Sequence, residues 1–293
     1  MKPDRFKRLR NLLLFALSLI VLVLVSTYLY CAPCFHLDVV DRIVLHPVVV
    51  NEKQPILTGK GEISRPVTFP VKRNGKVLKL SGLLLKGKET NGKVVLFSHG
   101  NSGCLDHRLG DYRVSILLKN FDVFEYDYEG YGRSQGEAHY VNLVDDAMAA
   151  YDFLRTSGYS QSNIVFYGES LGGGVTTELA RLRRPAALIL DCTFVSPEYF
   201  AKDRTWLARI YPQLLFPRPF FNNLDYLEST HPPCLIISGA QDGTIAPNHS
   251  NILSRCAKLL RLPESGHCIL APADKKIYNT GVTDWLTETN LRG

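Results

Sequence analysis

After one long uninterrupted apolar run, polar and apolar positions along this chain fall into short alternating blocks. From Asn11 to Tyr30 there are 20 residues without a charge, mostly leucine and valine. That is long enough to cross a bilayer core as a helix. Val67 to Val71 and Val77 to Leu85 are predicted strands, and the Asn74-Gly75 step between them is a strong hairpin signal. From residue 93 onward, strands and helices alternate. Lys93 to Ser98, Val123 to Tyr128, Asn163 to Tyr167, Ala187 to Leu190, Cys234 to Ser238 and Lys258 to Leu262 are predicted strands. Helices are predicted over 106–119, 173–181 and 274–289. Leu143, Val144, Ala147, Tyr151 and Leu154 fall on one face of a further helix. Such alternation implies an α/β domain with a mostly parallel sheet covered on both faces, made mixed at one edge by the initial hairpin.

One stretch breaks the rhythm. Residues 195–230 lie between two predicted core strands and carry Trp206, Leu207, Ile210, Tyr211, Leu214, Leu215, Phe216, Phe220 and Phe221, interrupted by Pro212, Pro217 and Pro219. A connection this long is usually a lid or binding loop. It is expected to be an apolar cap, either packing its own small core or roofing a site.

Charge changes the picture at one end only. Lys2, Arg5, Lys7, Arg8 and Arg10 against Asp4 place +4 of the net +6 within the first ten residues, leaving +2 for the rest. No nucleic-acid surface is expected. A cleaved signal peptide would have a shorter apolar region ending in small residues, whereas Tyr28, Leu29 and Tyr30 crowd this exit. The expectation is therefore an uncleaved single-pass anchor. The positive-inside bias leaves its N-terminus cytoplasmic and puts the globular domain on the opposite (periplasmic, lumenal or extracellular) side, with Tyr28 and Tyr30 at the far interface. The chain then divides into a basic segment (1–10), the anchor (11–30), a stalk broken by Pro47 and Pro55 (31–65) and one globular domain (66–293).

The seven cysteines do not form a disulfide framework for a chain of 293 residues. Cys192 and Cys234 are expected to be buried thiols. Cys31 and Cys34 form a C-x-x-C pair without a redox or zinc-binding context.

Gly168-Glu169-Ser170-Leu171-Gly172 matches G-x-S-x-G, a nucleophile elbow held between a strand and a helix. A serine hydroxyl needs an adjacent base, itself oriented by a carboxylate. Of the downstream histidines, His267 follows the last predicted strand and is the expected base, whereas His231 and His249 are expected at the surface. Asp242, in a glycine-flanked turn after the preceding strand, is the expected acid, with Asp191 as its rival. Glu169 and Glu264 are expected to be local hydrogen-bonding or surface groups. The backbone N–H groups of Leu171 and Asn101 are the expected oxyanion donors, and His99 is expected to brace the loop that carries Asn101. No metal or organic cofactor is expected.

These segments carry a resemblance. His99-Gly100-Asn101, Asp127-Tyr128-Glu129-Gly130-Tyr131-Gly132-Arg133-Ser134, the Ser170 pentapeptide with Gly173, and Leu190-Asp191-Cys192-Thr193-Phe194 occur in that order. Gly239-Ala240-Gln241-Asp242 and Gly266-His267 follow. Over residues 65–290 the chain resembles the alpha/beta-hydrolase superfamily, in particular its membrane-anchored, lysophospholipase-like and protein-depalmitoylase-like members. The resemblance implies the alpha/beta-hydrolase fold and Ser170, Asp242 and His267 as charge-relay residues. Glu129 departs from it, standing where such proteins often carry arginine, and weakens any substrate inference from that loop. The function expected is hydrolysis of acyl esters or thioesters, with an acyl ester, lysolipid or acylated protein as substrate. An oligopeptidase-like serine peptidase and a catalytically silent binding protein are the alternatives.

Overall fold

The computed structural model describes residues 3–50, 64–108 and 110–291. Pro55 and much of the expected stalk lie outside the described residues. The first element is a helix, α1 (Pro3–Tyr30), and its stretch Arg10–Tyr30 is long and apolar enough to cross a membrane and is not buried against the rest of the protein. A single turn of 3₁₀ helix (Pro33–Phe35) and α2 (Leu37–Val44) lead to the two-residue strand β1 (His46–Pro47).

The hairpin follows the sequence closely. β2 (Ser64–Arg73) and β3 (Lys76–Leu85) pair antiparallel through Arg73 and Lys76. Asn74 and Gly75 both take positive φ (47° and 77°), which the type I′ turn requires. Next come β4 (Val94–Ser98), β5 (Ser102–Gly103), α3 (Tyr112–Leu117), β6 (Asp122–Tyr126), α4 (Leu143–Thr156), β7 (Ile164–Glu169), α5 (Leu171–Leu182) and β8 (Ala187–Asp191). The long connection contains α6 (Pro197–Arg204), 3₁₀ turns at Trp206–Ile210 and Gln213–Leu215, and α7 (Asn223–Leu227). β9 (Cys234–Gly239), α8 (Pro247–Leu253), β10 (Lys258–Leu262) and α9 (Lys275–Glu288) complete the chain.

The main sheet has eight strands in the order β10-β9-β8-β7-β4-β6-β3-β2. From β10 to β6 every pair is parallel, and the hairpin adds the two antiparallel strands at one edge. Alternate strand residues feed two separate cores. Leu96, Phe166 and Leu188 face α4, α5, α7 and α8, whereas Val95, Phe97 and Ile189 face α3 and α9. The helix expected over 106–119 is shorter than the pattern suggested. Gly110 takes φ +83° and divides the stretch into a 3₁₀ turn (Leu105–His107) and α3, which Asp111 caps by accepting the Arg113 N–H.

Candidate active site

Ser170, Asp242, His267 and Asn101 all follow the carboxyl ends of parallel strands, where ligand sites assemble in open α/β sheets. β7 ends at Glu169 and α5 begins at Leu171, so Ser170 occupies the turn itself with φ +53° and ψ −116°, a strained conformation for a residue with a side chain. Glycine is required beside it. A Cβ at Gly172 would lie 2.0 Å from the Ser98 carbonyl oxygen, so α5 meets β4 only without a side chain there.

Three separate loops meet at this turn. His267 Nε2 is 3.1 Å from Ser170 Oγ, and His267 Nδ1 is 2.8 Å from Asp242 Oδ2. Asp242 Oδ1 accepts from the N–H groups of Thr244 and Ile245, each at 2.8 Å, which fixes the carboxylate. With Nδ1–H donating to Asp242, Nε2 is left to accept the serine hydroxyl proton. Asn101 follows β4 on the same side: a Cβ built at Gly100 would be 3.4 Å from Ser170 Cβ. The Asn101 carbonyl accepts from His46 N–H and Tyr131 Oη, and its Nδ2 donates to the Val44 carbonyl. The segment after α2 therefore braces that loop, and β1 pairs with β5 beside it.

Asp191 does not face His267. Its Oδ2 accepts from Arg113 Nη1 at 3.0 Å and from Tyr167 Oη at 2.5 Å. Glu169 lies in the same buried network, with Arg108 Nη1 at 2.9 Å and Arg113 Nη2 at 2.6 Å. Burial alone would raise its pKa, but the two guanidinium groups hold it well below the usual carboxylate range. Neither arginine was singled out from the sequence, although together they clamp the residue before Ser170. A cavity of about 530 Å³ opens beside this network, lined by Ser102, His107, Arg108, Asp111, Arg113 and Cys268 among others.

Two expectations need correction. Cys192 is not a free thiol: it forms a disulfide with Cys268, the neighbour of His267, and so ties the histidine loop to the exit of β8. Cys234 is a buried free thiol as expected. With Cys192 and Cys268 joined, their sulfurs are not thiolate ligands for a metal beside His267. His249 is buried rather than at the surface, because its Nδ1 accepts the Val195 N–H at 3.0 Å. Phe216 and Phe221 of the insert are buried, Phe221 against Tyr140, whereas Trp206, Leu207, Ile210 and Leu214 are exposed. The insert therefore packs one part of its apolar surface and leaves another open. Glu129, the departure noted in its loop, accepts from Arg73 and Asn142 in a buried network toward the hairpin.

His99 is buried, with Nδ1 donating to the Gly100 carbonyl. Burial and the nearby Arg108 charge push its pKa down to about 4. It is neutral at physiological pH, so its 3.9 Å approach to Asp127 is not an ion pair. Burial pushes Asp127 up to about 7, despite the N–H of Leu105 that it accepts. Between about pH 4 and pH 7 the folded chain therefore holds a proton there that the unfolded chain has released, and this group's contribution to stability falls as pH rises. Asp127→Asn mimics the protonated form at every pH. Relative to wild type it should gain stability between about pH 5 and about pH 8, by about 3 kcal/mol, since the difference in bound protons persists over about two pH units of that interval at 1.36 kcal/mol per unit. Urea unfolding at both values reads this double difference, and a difference that does not change with pH would refute it.

A family model described as serine aminopeptidase, S33, matches residues 90–227. An uncharacterized protein of Mycobacterium tuberculosis is 31% identical over 209 residues, covering 69% of this chain and 73% of the relative. Alpha/beta hydrolase domain-containing protein 17C of Homo sapiens is 34% identical over 166 residues, covering 56% of this chain and 48% of that protein. The fold is similar to that of an esterase from Pyrococcus furiosus, with a TM-score of 0.65 at 18% identity over 84% of this chain and 98% of that one. A puromycin-hydrolyzing peptidase of Mycobacterium tuberculosis gives a TM-score of 0.56 at 19% identity over 78% of this chain and 39% of that one. At such identities the structures speak for the fold, and the sequence relatives carry the rest: the chain belongs to the alpha/beta-hydrolase superfamily.

Proposed function

We propose that this protein is a membrane-anchored serine hydrolase that cleaves acyl ester or thioester bonds. The observation that carries the reading is the hydrogen-bonded line from Ser170 Oγ through His267 to Asp242 at a strained strand-to-helix turn. Ser170 Oγ attacks the acyl carbonyl carbon as His267 Nε2 takes its proton. The N–H groups of Leu171 and Asn101 stabilise the resulting oxyanion. Collapse expels the alcohol or thiol, which receives the proton from His267, and leaves an acyl-serine. Water, deprotonated by His267, then releases the acid and restores the hydroxyl. Asp242 holds the imidazole in its working tautomer and stabilises the imidazolium. None of these steps calls on a metal or organic cofactor.

The bond type is supported by the apolar insert next to the site and by the anchor reading of α1, which confines the enzyme to a surface where acylated substrates are concentrated. In that reading the N-terminus is cytoplasmic and the catalytic domain lies across the membrane. The description of the matching family and the name of the peptidase neighbour favour a second reading, cleavage of aminoacyl or peptide amides. A fluorophosphonate probe and a series of p-nitrophenyl esters separate these readings on the full chain in nanodiscs. The probe should label wild type and fail on Ser170→Ala; an unlabelled wild type would mean a silent binding protein. From acetate to octanoate kcat/KM should rise, by at most about fourfold per methylene at about 0.8 kcal/mol each. The rise should be weakened in Phe220→Ala, whose side chain is half-buried, whereas Phe216→Ala would empty a buried position. A flat ester series with rapid cleavage of aminoacyl naphthylamides would transfer the assignment to the peptidase.

A further inference from the structure

The insert's open apolar surface lies against the end of α1, and this contact says what covers it. Tyr28 Oη donates to the Ile210 carbonyl at 2.8 Å, and the rings of Tyr28 and Tyr211 stack with centroids 4.9 Å apart. Tyr28 lies 18 residues beyond Arg10, or about 27 Å along a helix. A helix that places Arg10 at one face of a bilayer therefore places Tyr28, and Ile210 with it, at the other.

Around this contact four large apolar side chains are exposed. Trp206 is 70% exposed, and Leu207, Ile210 and Leu214 are each more than half exposed. Within Trp206–Leu215 the sole charge is Arg209, whose Nε donates to the Lys202 carbonyl. A second strip leaves α1 directly: Phe35, Val39 and Ile43 recur at a spacing of four residues and are exposed, with the charged Asp38 and Arg42 exposed along its edge. On the opposite side of α2, Val40 and Val44 pack on the core, and Asp41 accepts from the Tyr140 N–H. A short helix with one face in the core and an apolar face outward at the exit of a spanning helix has the form of an interfacial element.

The same surface reaches the mouth of the site. Arg204, at the end of α6, donates to the carbonyls of Gly243 and Thr244, just past Asp242. Ile269, two residues beyond His267, is 72% exposed.

We propose that Trp206, Leu207, Ile210 and Leu214, with Phe35, Val39 and Ile43, form a lipid-embedded face that seats the mouth of the site on the bilayer spanned by α1. This rests on the anchor reading given above. The face holds Ser170 and His267 at the level of the headgroups, where an acyl chain can pass from the leaflet to the serine without crossing water. An apolar patch this large on a surface-bound hydrolase would otherwise face solvent.

The chain contains two tryptophans, and Trp285 is buried in the core at 2% exposure, so Trp206 is a ready-made depth probe. The full chain is reconstituted in phosphatidylcholine vesicles, and Trp206 emission is obtained by subtracting the Trp206→Phe spectrum and, separately, from Trp285→Phe. Trp206 should be blue-shifted, lose most of its intensity to phosphatidylcholine brominated near the top of the acyl chain, and be shielded from aqueous iodide. Trp206→Ser with Leu207→Ser and Leu214→Ser should lower hydrolysis of a vesicle-borne ester by about tenfold or more, while p-nitrophenyl acetate turnover stays unchanged. If the protein stays with the vesicles through a carbonate wash but Trp206 is quenched by iodide and not by bromolipid, the lipid face is wrong and the anchor reading stands. Release by carbonate overturns both. Shielding from both quenchers, with dimers captured by cross-linking in the same vesicles, would make the face a contact between chains and overturn its assignment to lipid.

Discussion

Ser170→Ala and His267→Ala are each expected to lower kcat by roughly 10⁴-fold or more, and the double variant is expected to be no slower than the worse of the two. The geometry makes the two residues one proton-transfer unit: the hydroxyl is a weak nucleophile until Nε2, 3.1 Å away, removes its proton. Removing either partner leaves the other without a task, so the losses do not add. What remains is the contribution of the backbone N–H groups and of substrate positioning, which neither substitution touches. Folding should survive in both, because Ser170 Oγ bonds only His267 among the described residues, and His267 is partly exposed in a loop tied down by Cys268. Single-turnover hydrolysis, with thermal unfolding as a control, reads the result. A double variant about 100-fold slower than either single one would mean that the two residues act independently, and the proposed proton transfer would be wrong.

Legibility of the site followed from how local each signal was. Ser170 sits in a pentapeptide, and its strand and helix were written on either side by apolar blocks and glycines. His267 and Asp242 follow strands, so chain order and strand ends were enough to put them on one edge of the sheet. The hairpin was legible for the same reason, since Asn74-Gly75 itself supplies both positive φ values. The misreadings lie where partners are far apart in sequence. Cys192 and Cys268 are separated by 76 residues, and nothing near either cysteine announces the other. Arg113 lies in the stretch 106–119 read as a helix, and nothing local to it announces that the ends of β7 and β8 make it a buried cation holding Glu169 and Asp191. His249 begins a helix with polar neighbours, which suggested the surface, but an orphan N–H at Val195 after β8 draws it inward. Composition placed the insert's aromatics together but could not divide them into the buried pair Phe216 and Phe221 and the open face around Trp206. That division depends on where α1 ends.

Asp242→Asn should lower kcat by roughly 10³- to 10⁴-fold with little loss of stability, whereas Asp191→Asn should do the reverse. In the Asp242→Asn variant the side-chain amide oxygen can still accept from the Thr244 and Ile245 N–H groups, so the turn keeps its shape. The amide NH₂ group would then face His267 Nδ1 where Oδ2 had accepted a proton at 2.8 Å. Two donors cannot share that contact, so the imidazole moves its proton to Nε2, which then points at Ser170 as a donor and cannot act as the base. Charge stabilisation of the imidazolium is lost in the same step. Asp191 presents the opposite case. Its carboxylate is spent on Arg113 and Tyr167, and neutralising it leaves a buried guanidinium with Asp111 and Glu169 as its remaining acidic partners. Breaking one side of a buried pair costs about 3–5 kcal/mol, and the remaining acids should hold the loss toward the lower end of that range. The catalytic effect should stay within about tenfold, since the direct contact of Asp191 with Ser170 is its backbone carbonyl, which accepts the Ser170 N–H at 2.9 Å and is unchanged in asparagine. Measuring kcat and urea midpoints on both variants gives two independent rankings. If Asp191→Asn were the slower enzyme while remaining folded, the acid would have to be reassigned to Asp191, and the His267–Asp242 contact would be a structural one.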